Sequence, residues 1–220
     1  MTSRFFSYLP MAALLVLLLP GCQTTKKEKD LKAVISTEYG DITIKLFNST
    51  PKHRDNFAKL AREGFYDGTL FHRVIQHFVI QGGDPDSKNA QPGVPLGSGG
   101  TGYMIYAEIG APHFRGAVAA ARTDNPGKKS SGCQFYIVTG VRQTEQDLQQ
   151  YEQVKRIHYN DVQRERYIKE GGVPRLDMEY TVFGEVISGM DVVEKISNTN
   201  TGEMDRPLAD IKMTVKMIQE

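Results

Sequence analysis

A chain of 220 residues that is 40% hydrophobic and 24% charged has the make-up of one soluble domain large enough to bury a core. Its 27 Lys and Arg nearly balance 26 Asp and Glu, for a formal charge of +1, which excludes the strongly basic face that nucleic-acid binding needs. The 21 Gly and 10 Pro are spread along the chain and fit a β-rich fold with many turns.

Arg4 precedes the apolar run "MAALLVLLLPGC", which is too short to span a bilayer as a helix. The run ends at Cys22 and resembles a bacterial lipoprotein signal, in which a small residue precedes a lipidated cysteine. Pro20 is unusual there, and an uncleaved anchor would equally place the domain outside the cytoplasm. The expected division is a signal over 1–21, a polar linker over 22–30 and a domain over 31–220. Acyl chains on Cys22 would be the membrane tether. Gln23 after it carries no obvious inner-membrane retention signal, so the expected location is the outer membrane, facing the periplasm or the cell surface. With Cys22 lipidated, Cys133 has no intrachain partner and reads as a small buried packing residue.

In "AVISTEYGDITIKLF" (33–47) two β-rich runs flank Tyr39-Gly40-Asp41, which predicts a hairpin. "STPKHRDNFAKLAREG" (49–64) predicts a helix capped by Thr50, started by Pro51 and stopped by Gly64. Phe57, Leu60 and Ala61 fall on its inner face. "FHRVIQHFVIQGGDP" (71–85) is β-prone yet holds Arg73 and Gln81, and a buried run rarely keeps an unpaired guanidinium. "QPGVPLGSGGTGY" (91–103) is too rich in Gly and Pro for regular structure. "RGAVAAART", "CQFYIVTG", "TVFGEVI" and "DIKMTVKMI" predict strands. "GMDVVEKI" predicts a short helix with Met190, Val193 and Ile196 inward.

Residues 142–174 break this rhythm. Leu148, Tyr151, Val154, His158 and Val162 recur at helical spacing, which predicts a helical insertion lying on the barrel, loosely packed because its apolar stripe is narrow.

Conventional catalytic constellations are missing. The five histidines, at 53, 72, 77, 113 and 158, show no ligand-spaced pair and there is no CxxC, so no metal site is expected. "NPGKKSSG" (125–132) lacks the leading Gly of a phosphate loop, and no G-x-S-x-G is present. No cofactor is expected.

The blocks "FHRVIQHFVIQGGDP", "GSGGTGYMIYAEI", "GAVAAART", "CQFYIVTG" and "LDMEYTVFGEVISGMDVVEKI", in that order, resemble the cyclophilin-type peptidyl-prolyl cis–trans isomerases. The resemblance covers roughly residues 33–140 and 175–218. It implies a mainly β fold: a closed eight-stranded antiparallel barrel capped by two helices, with the active site in a groove on its outside and 142–174 as an insertion. It also implies that Gln81 orients Arg73. In one straight strand the two would sit about 27 Å apart at roughly 3.3 Å per residue, so a corner is expected at Gln76-His77.

The resemblance further implies that Phe78, Val79, Tyr136 and Leu176 wall an apolar proline pocket. The backbone of Ala121, Arg122 and Thr123 would bind the peptide before the proline. Val79 stands where many members carry Met, Tyr136 where many carry Phe, and Arg122 where Asn is frequent. Arg175 replaces a tryptophan that contacts the inhibitor cyclosporin in many eukaryotic members, which predicts weak cyclosporin binding; Tyr180 replaces a histidine. Arg73, Gln81, Phe78 and Gln134 are all retained, which favours catalysis over a non-catalytic module that only holds a Pro-containing partner. The implied partners are proline-containing polypeptides, met by a monomer.

Overall fold

The computed structural model describes residues 30–218 together with Met1. The leader, Cys22 and the linker up to residue 29 therefore lie outside the described residues. Hydrophobic alternation forms the hairpin of β1 (Lys32–Thr37) and β2 (Gly40–Leu46), with Ile35 facing Ile42. Helix α1 (Pro51–Arg62) buries Phe57, Leu60 and Ala61 as expected. Gly64 stops it at φ +67, with its own N–H on Ala61 O and the Phe65 N–H on Leu60 O. Thr50 does not cap it: its hydroxyl donates to Phe47 O at 3.3 Å. The Glu108 carboxylate does that work from a distant loop. It accepts from the Lys52 and His53 N–H groups at 3.1 and 3.0 Å, where the positive end of the helix favours an anion.

The remaining strands are β3 (Phe71–Ile75), β4 (Val79–Gly82), β5 (Met104–Ile105), β6 (Ala117–Ala120), β7 (Ser130–Ser131), β8 (Phe135–Val138), β9 (Val182–Ser188) and β10 (Thr214–Ile218). β5 and β7 pair with each other. The other eight form one antiparallel sheet in the order β10-β1-β2-β9-β6-β8-β4-β3. The expected closed barrel is corrected to an open, curled sheet with β3 and β10 as its edges. At that seam only a bridge between Leu70 and Lys212 and a few backbone bonds meet, such as Phe71 N–H to Ile211 O at 2.9 Å. The contact falls on residues at and just before the starts of the two strands, and the ladder does not continue beyond it.

The period of two decides what each strand shows to each side. Ile80, Val118, Phe135, Ile137 and Phe183 point into the main core with Ile35, Ile44, Phe57 and Val193. Their neighbours Val79, Ala119, Tyr136, Val138 and Val182 point outward into a second apolar cluster with Val173 and Leu176. That outer cluster carries the candidate site. Cys133 is buried in the main core, and burial pushes its thiol above the ordinary range.

Two helices cover the curled sheet, α1 over β10 and β9, and α4 (Met190–Ser197) over β2 and β4. The insertion holds two helices rather than one run: α2 (Glu145–Lys155) and α3 (Asp161–Lys169). Arg156, left-handed at φ +55, ends the first, and Asn160 caps the second. The stripe read through Val154, His158 and Val162 is corrected, because all three are exposed. The break lets Tyr159, before α3, and Tyr167, on it, join Leu148 in a buried cluster.

Candidate active site

The corner expected at Gln76-His77 is present. β3 ends at Ile75, His77 adopts φ +60, the Phe78 N–H bonds Ile75 O, and β4 runs back. The reversal sets Arg73 directly opposite Gln81 in the β3–β4 register, and Gln81 opposite Tyr136 in the β4–β8 register. One turn thus brings the guanidinium, the amide and an outer aromatic ring onto neighbouring strands of one face.

A chain of hydrogen bonds fixes the polar part. Gln134, almost fully buried, donates from Nε2 to Gly97 O at 2.9 Å and Gly99 O at 2.7 Å, both in the Gly-rich loop. Its Oε1 accepts from Gln81 Nε2 at 3.1 Å, which turns Gln81 Oε1 toward Arg73 Nη1 at 3.5 Å. The two carbonyls can only accept, so each amide in the chain has one allowed orientation. Arg73 Nε donates to Asp205 Oδ2 at 3.2 Å, and the two side chains are 39% and 45% exposed. Asp205 was not foreseen: it lies 132 positions from Arg73, and no local pattern links them.

Beside Arg73 is a pocket of about 120 Å³ lined by Arg73, Phe78, Val79, Gln81, Ala121, Arg122, Tyr136, Leu176 and Tyr180. It gathers the expected walls in one place. Two arginines sit over its aromatic rings. The Arg175 guanidinium is 4.1 Å from the Phe78 ring centre and that of Arg122 is 4.8 Å from Tyr180. Arg122 is held there by Glu179, donating to its backbone O at 3.0 Å and to its carboxylate at 3.3 Å. Burial pushes the Tyr136 phenol well above its usual range, so it stays protonated.

Ala121, expected to grip substrate backbone, lies in the pocket lining with its own backbone groups paired. Its N–H donates to Gln134 O at 2.9 Å and its carbonyl accepts from the Ser131 N–H at 2.8 Å, as the end of β6 continues to pair. Arg122 and Thr123, beyond that end, are the residues of the segment that reach the surface. Arg73 also borders a larger groove of about 880 Å³ between residues 92–98 and 202–210, and Gln81 and Arg122 line both cavities. Among the described residues, no three His, Cys, Asp or Glu side chains come together as metal ligands would.

The site has a small pocket walled by Phe78, Val79, Tyr136, Leu176 and Tyr180 with the Arg73 cation at its rim, and none of the described residues lining it is a Ser, Cys or Lys nucleophile. Comparison with known proteins identifies the family. The family model for cyclophilin-type peptidyl-prolyl cis-trans isomerases matches residues 32–217. A Staphylococcus aureus protein provisionally named a peptidyl-prolyl cis-trans isomerase is 36% identical over 200 residues, covering 87% of this chain and 93% of its own. A counterpart of the same provisional name from Staphylococcus saprophyticus is 34% identical over 200 residues. The crystal structure of a cyclophilin-type isomerase from Cryptosporidium parvum superposes with a TM-score of 0.65 at 25% identity, over 87% of this chain and 99% of its own. A second structure of that enzyme, in the presence of the dipeptide Ala-Pro, gives 0.63. With its curled antiparallel sheet, its outer pocket and these relatives, the chain belongs to the cyclophilin-type peptidyl-prolyl cis-trans isomerase family.

Proposed function

We propose that the isomerase works by aiming Arg73 at the prolyl nitrogen, and that its substrates are X–Pro bonds of exported proteins. The observation that carries the proposal is the placing of Arg73 opposite Gln81 at the rim of the Phe78–Tyr136–Leu176 pocket. A planar X–Pro amide resists rotation because the nitrogen lone pair is delocalised into the carbonyl, with a barrier of ~18–20 kcal/mol. In the twisted state the lone pair is localised on a pyramidal, more basic nitrogen. A cation donating toward that nitrogen stabilises the twisted form more than either planar form, and that difference is catalysis. Each ~1.4 kcal/mol of it is about tenfold in rate. The pocket holds the proline ring while the preceding residue turns, and Gln81 and Asp205 keep the guanidinium fork in place.

The lipoprotein-like leader supports an exported enzyme tethered through Cys22, on the outer membrane. No helix among the described residues is long and apolar enough to cross a membrane. A tethered monomer without ATP or cofactor suits this task, since uncatalysed prolyl isomerisation takes tens to hundreds of seconds and limits folding. The test is refolding of an exported protein whose slow phase is a cis-proline. Catalytic amounts of the chain should speed that phase in proportion to enzyme, and Arg73→Ala should not. A Cys22→Ala variant should lose incorporation of labelled palmitate and leave the membrane fraction. An unchanged slow phase would reject the folding role, and label on the Cys22→Ala variant would reject the tether.

A further inference from the structure

The geometry points to the helical insertion as a brace for the proline pocket: Tyr159 and Tyr167 hold Asp177, and Asp177 holds His113 against the pocket wall Tyr136. This rests on the reading above that Tyr136 and Leu176 line the prolyl site.

The link is an unbroken buried chain. Tyr159, between α2 and α3, donates from its hydroxyl to Asp177 Oδ2 at 2.7 Å, and Tyr167 on α3 does the same at 2.6 Å. The other oxygen, Oδ1, accepts from the His113 N–H at 2.7 Å and lies 2.9 Å from His113 Nδ1. His113 Nε2 is 3.0 Å from the Tyr136 hydroxyl. A carboxylate can only accept, so Nδ1 donates to Asp177, and Nε2 shares a hydrogen bond with the Tyr136 hydroxyl. All five side chains are buried. Asp177 follows the pocket wall Leu176 in the chain, and Lys155 of α2 donates to its backbone O at 2.9 Å. The insertion thus reaches the pocket by side chain and by main chain.

The energetics favour a brace over a detachable module. The Asp177 carboxylate has four donors, two of them from the insertion, and a buried carboxylate that loses half its donors is costly. Burial and the adjoining charge of Asp177 push both tyrosine phenols up, so they remain donors throughout the physiological range. The insertion's end is pinned as well. The Val173 N–H donates to His113 O at 2.8 Å, and a Cβ on Gly172, at φ +147, would lie 2.4 Å from that same oxygen. The His113 ring stacks on Tyr136 with 17° between planes, and Tyr180 packs edge-on against both rings. Movement of Asp177 would therefore pass to two aromatic walls of the pocket.

Tyr159→Phe/Tyr167→Phe removes both hydroxyls and keeps both rings, in residues that line no part of the pocket. The assay is Ala-Pro peptide isomerisation with KM and kcat separated, alongside NMR of Tyr136 and Tyr180 in protein carrying ¹³C-labelled tyrosine. The expected result is a KM raised about fivefold or more, kcat within twofold of wild type, and shifted Tyr136 ring signals. Should the double variant fail to fold, Tyr159→Phe alone carries the same test. Wild-type KM together with unmoved Tyr136 signals would overturn the brace. Absence of turnover in the wild type would instead overturn the functional reading, and the ring signals would still report on the brace.

Discussion

Gln134 offers the sharpest test of how Arg73 is held. In Gln134→Ala three hydrogen bonds disappear, to Gly97 O, Gly99 O and from Gln81 Nε2. At about 1 kcal/mol net each, the ceiling on lost stability is about 3 kcal/mol. Gly97 and Gly99 are only half-buried, so water can reach their carbonyls, and a loss of about 1–2 kcal/mol is expected. The catalytic effect comes from the Gln81 bond alone. Without its acceptor, the Gln81 amide is free to rotate and ceases to direct Oε1 at Arg73. About 1 kcal/mol of lost orientation corresponds to a fall of roughly fivefold in kcat/KM. The decisive assay is a double-mutant cycle with Gln81→Ala, scored by Ala-Pro turnover, with thermal unfolding measured on each variant. Once Gln81 is gone, Gln134→Ala should cost stability but no further rate. Rate losses that multiply, as for independent sites, would refute the amide chain.

Asp205→Ala should lower kcat/KM about two- to fivefold and change stability by less than about 1 kcal/mol, because the pair is part-exposed and such ion pairs contribute little. A rise in activity would mean that Asp205 restrains the charge of Arg73 rather than its position. Acid should destabilise the domain from near neutrality. Burial lowers the His53 and His72 imidazoles below their ordinary 6.5, so the unfolded chain takes up protons first as pH falls. Their contribution is complete above about pH 6.5 and is lost below it. Burial alone would raise the Glu108 carboxyl, but hydrogen bonds from His53 and Lys52 hold it below 4.5, adding a further loss at lower pH. A melting temperature that stays flat from pH 7 to pH 5 would contradict this. Arg175→Trp should tighten cyclosporin inhibition tenfold or more. A ring would replace a guanidinium 4.1 Å over the Phe78 ring, and burying it is worth roughly 1.5–3 kcal/mol; unchanged inhibition would dissociate that contact from residue 175.

Where a feature depends on neighbours in the chain, the sequence disclosed it. The β-rich runs around Tyr39-Gly40-Asp41 foretold the β1–β2 hairpin, and Phe57, Leu60 and Ala61 the inner face of α1; the corner that pairs Arg73 with Gln81 was expected because the family resemblance requires the two to meet. The pocket walls came from family resemblance, because no spacing rule joins Phe78 to Leu176. Features that join distant segments stayed hidden. The cap on α1 comes from Glu108, the second anchor of Arg73 from Asp205, and the support of Tyr136 from Asp177 through His113. The open seam between β3 and β10 is a matter of how far the sheet curls, which alternation does not encode. The split of the insertion was missed, although local signals for it are present. Thr144 with Asp147 and Asn160 with Gln163 are capping boxes, each marking a helix start.

The central claim is that Arg73 binds the twisted amide better than the planar one. Exchange NMR on an Ala-Pro peptide measures both cis–trans interconversion on the enzyme and the affinity of the ground state. For Arg73→Ala the account predicts interconversion slowed by a hundredfold or more, with peptide affinity changed by less than about threefold and the fold intact by circular dichroism. Interconversion at the wild-type rate, or a loss explained wholly by weaker peptide binding, would contradict it.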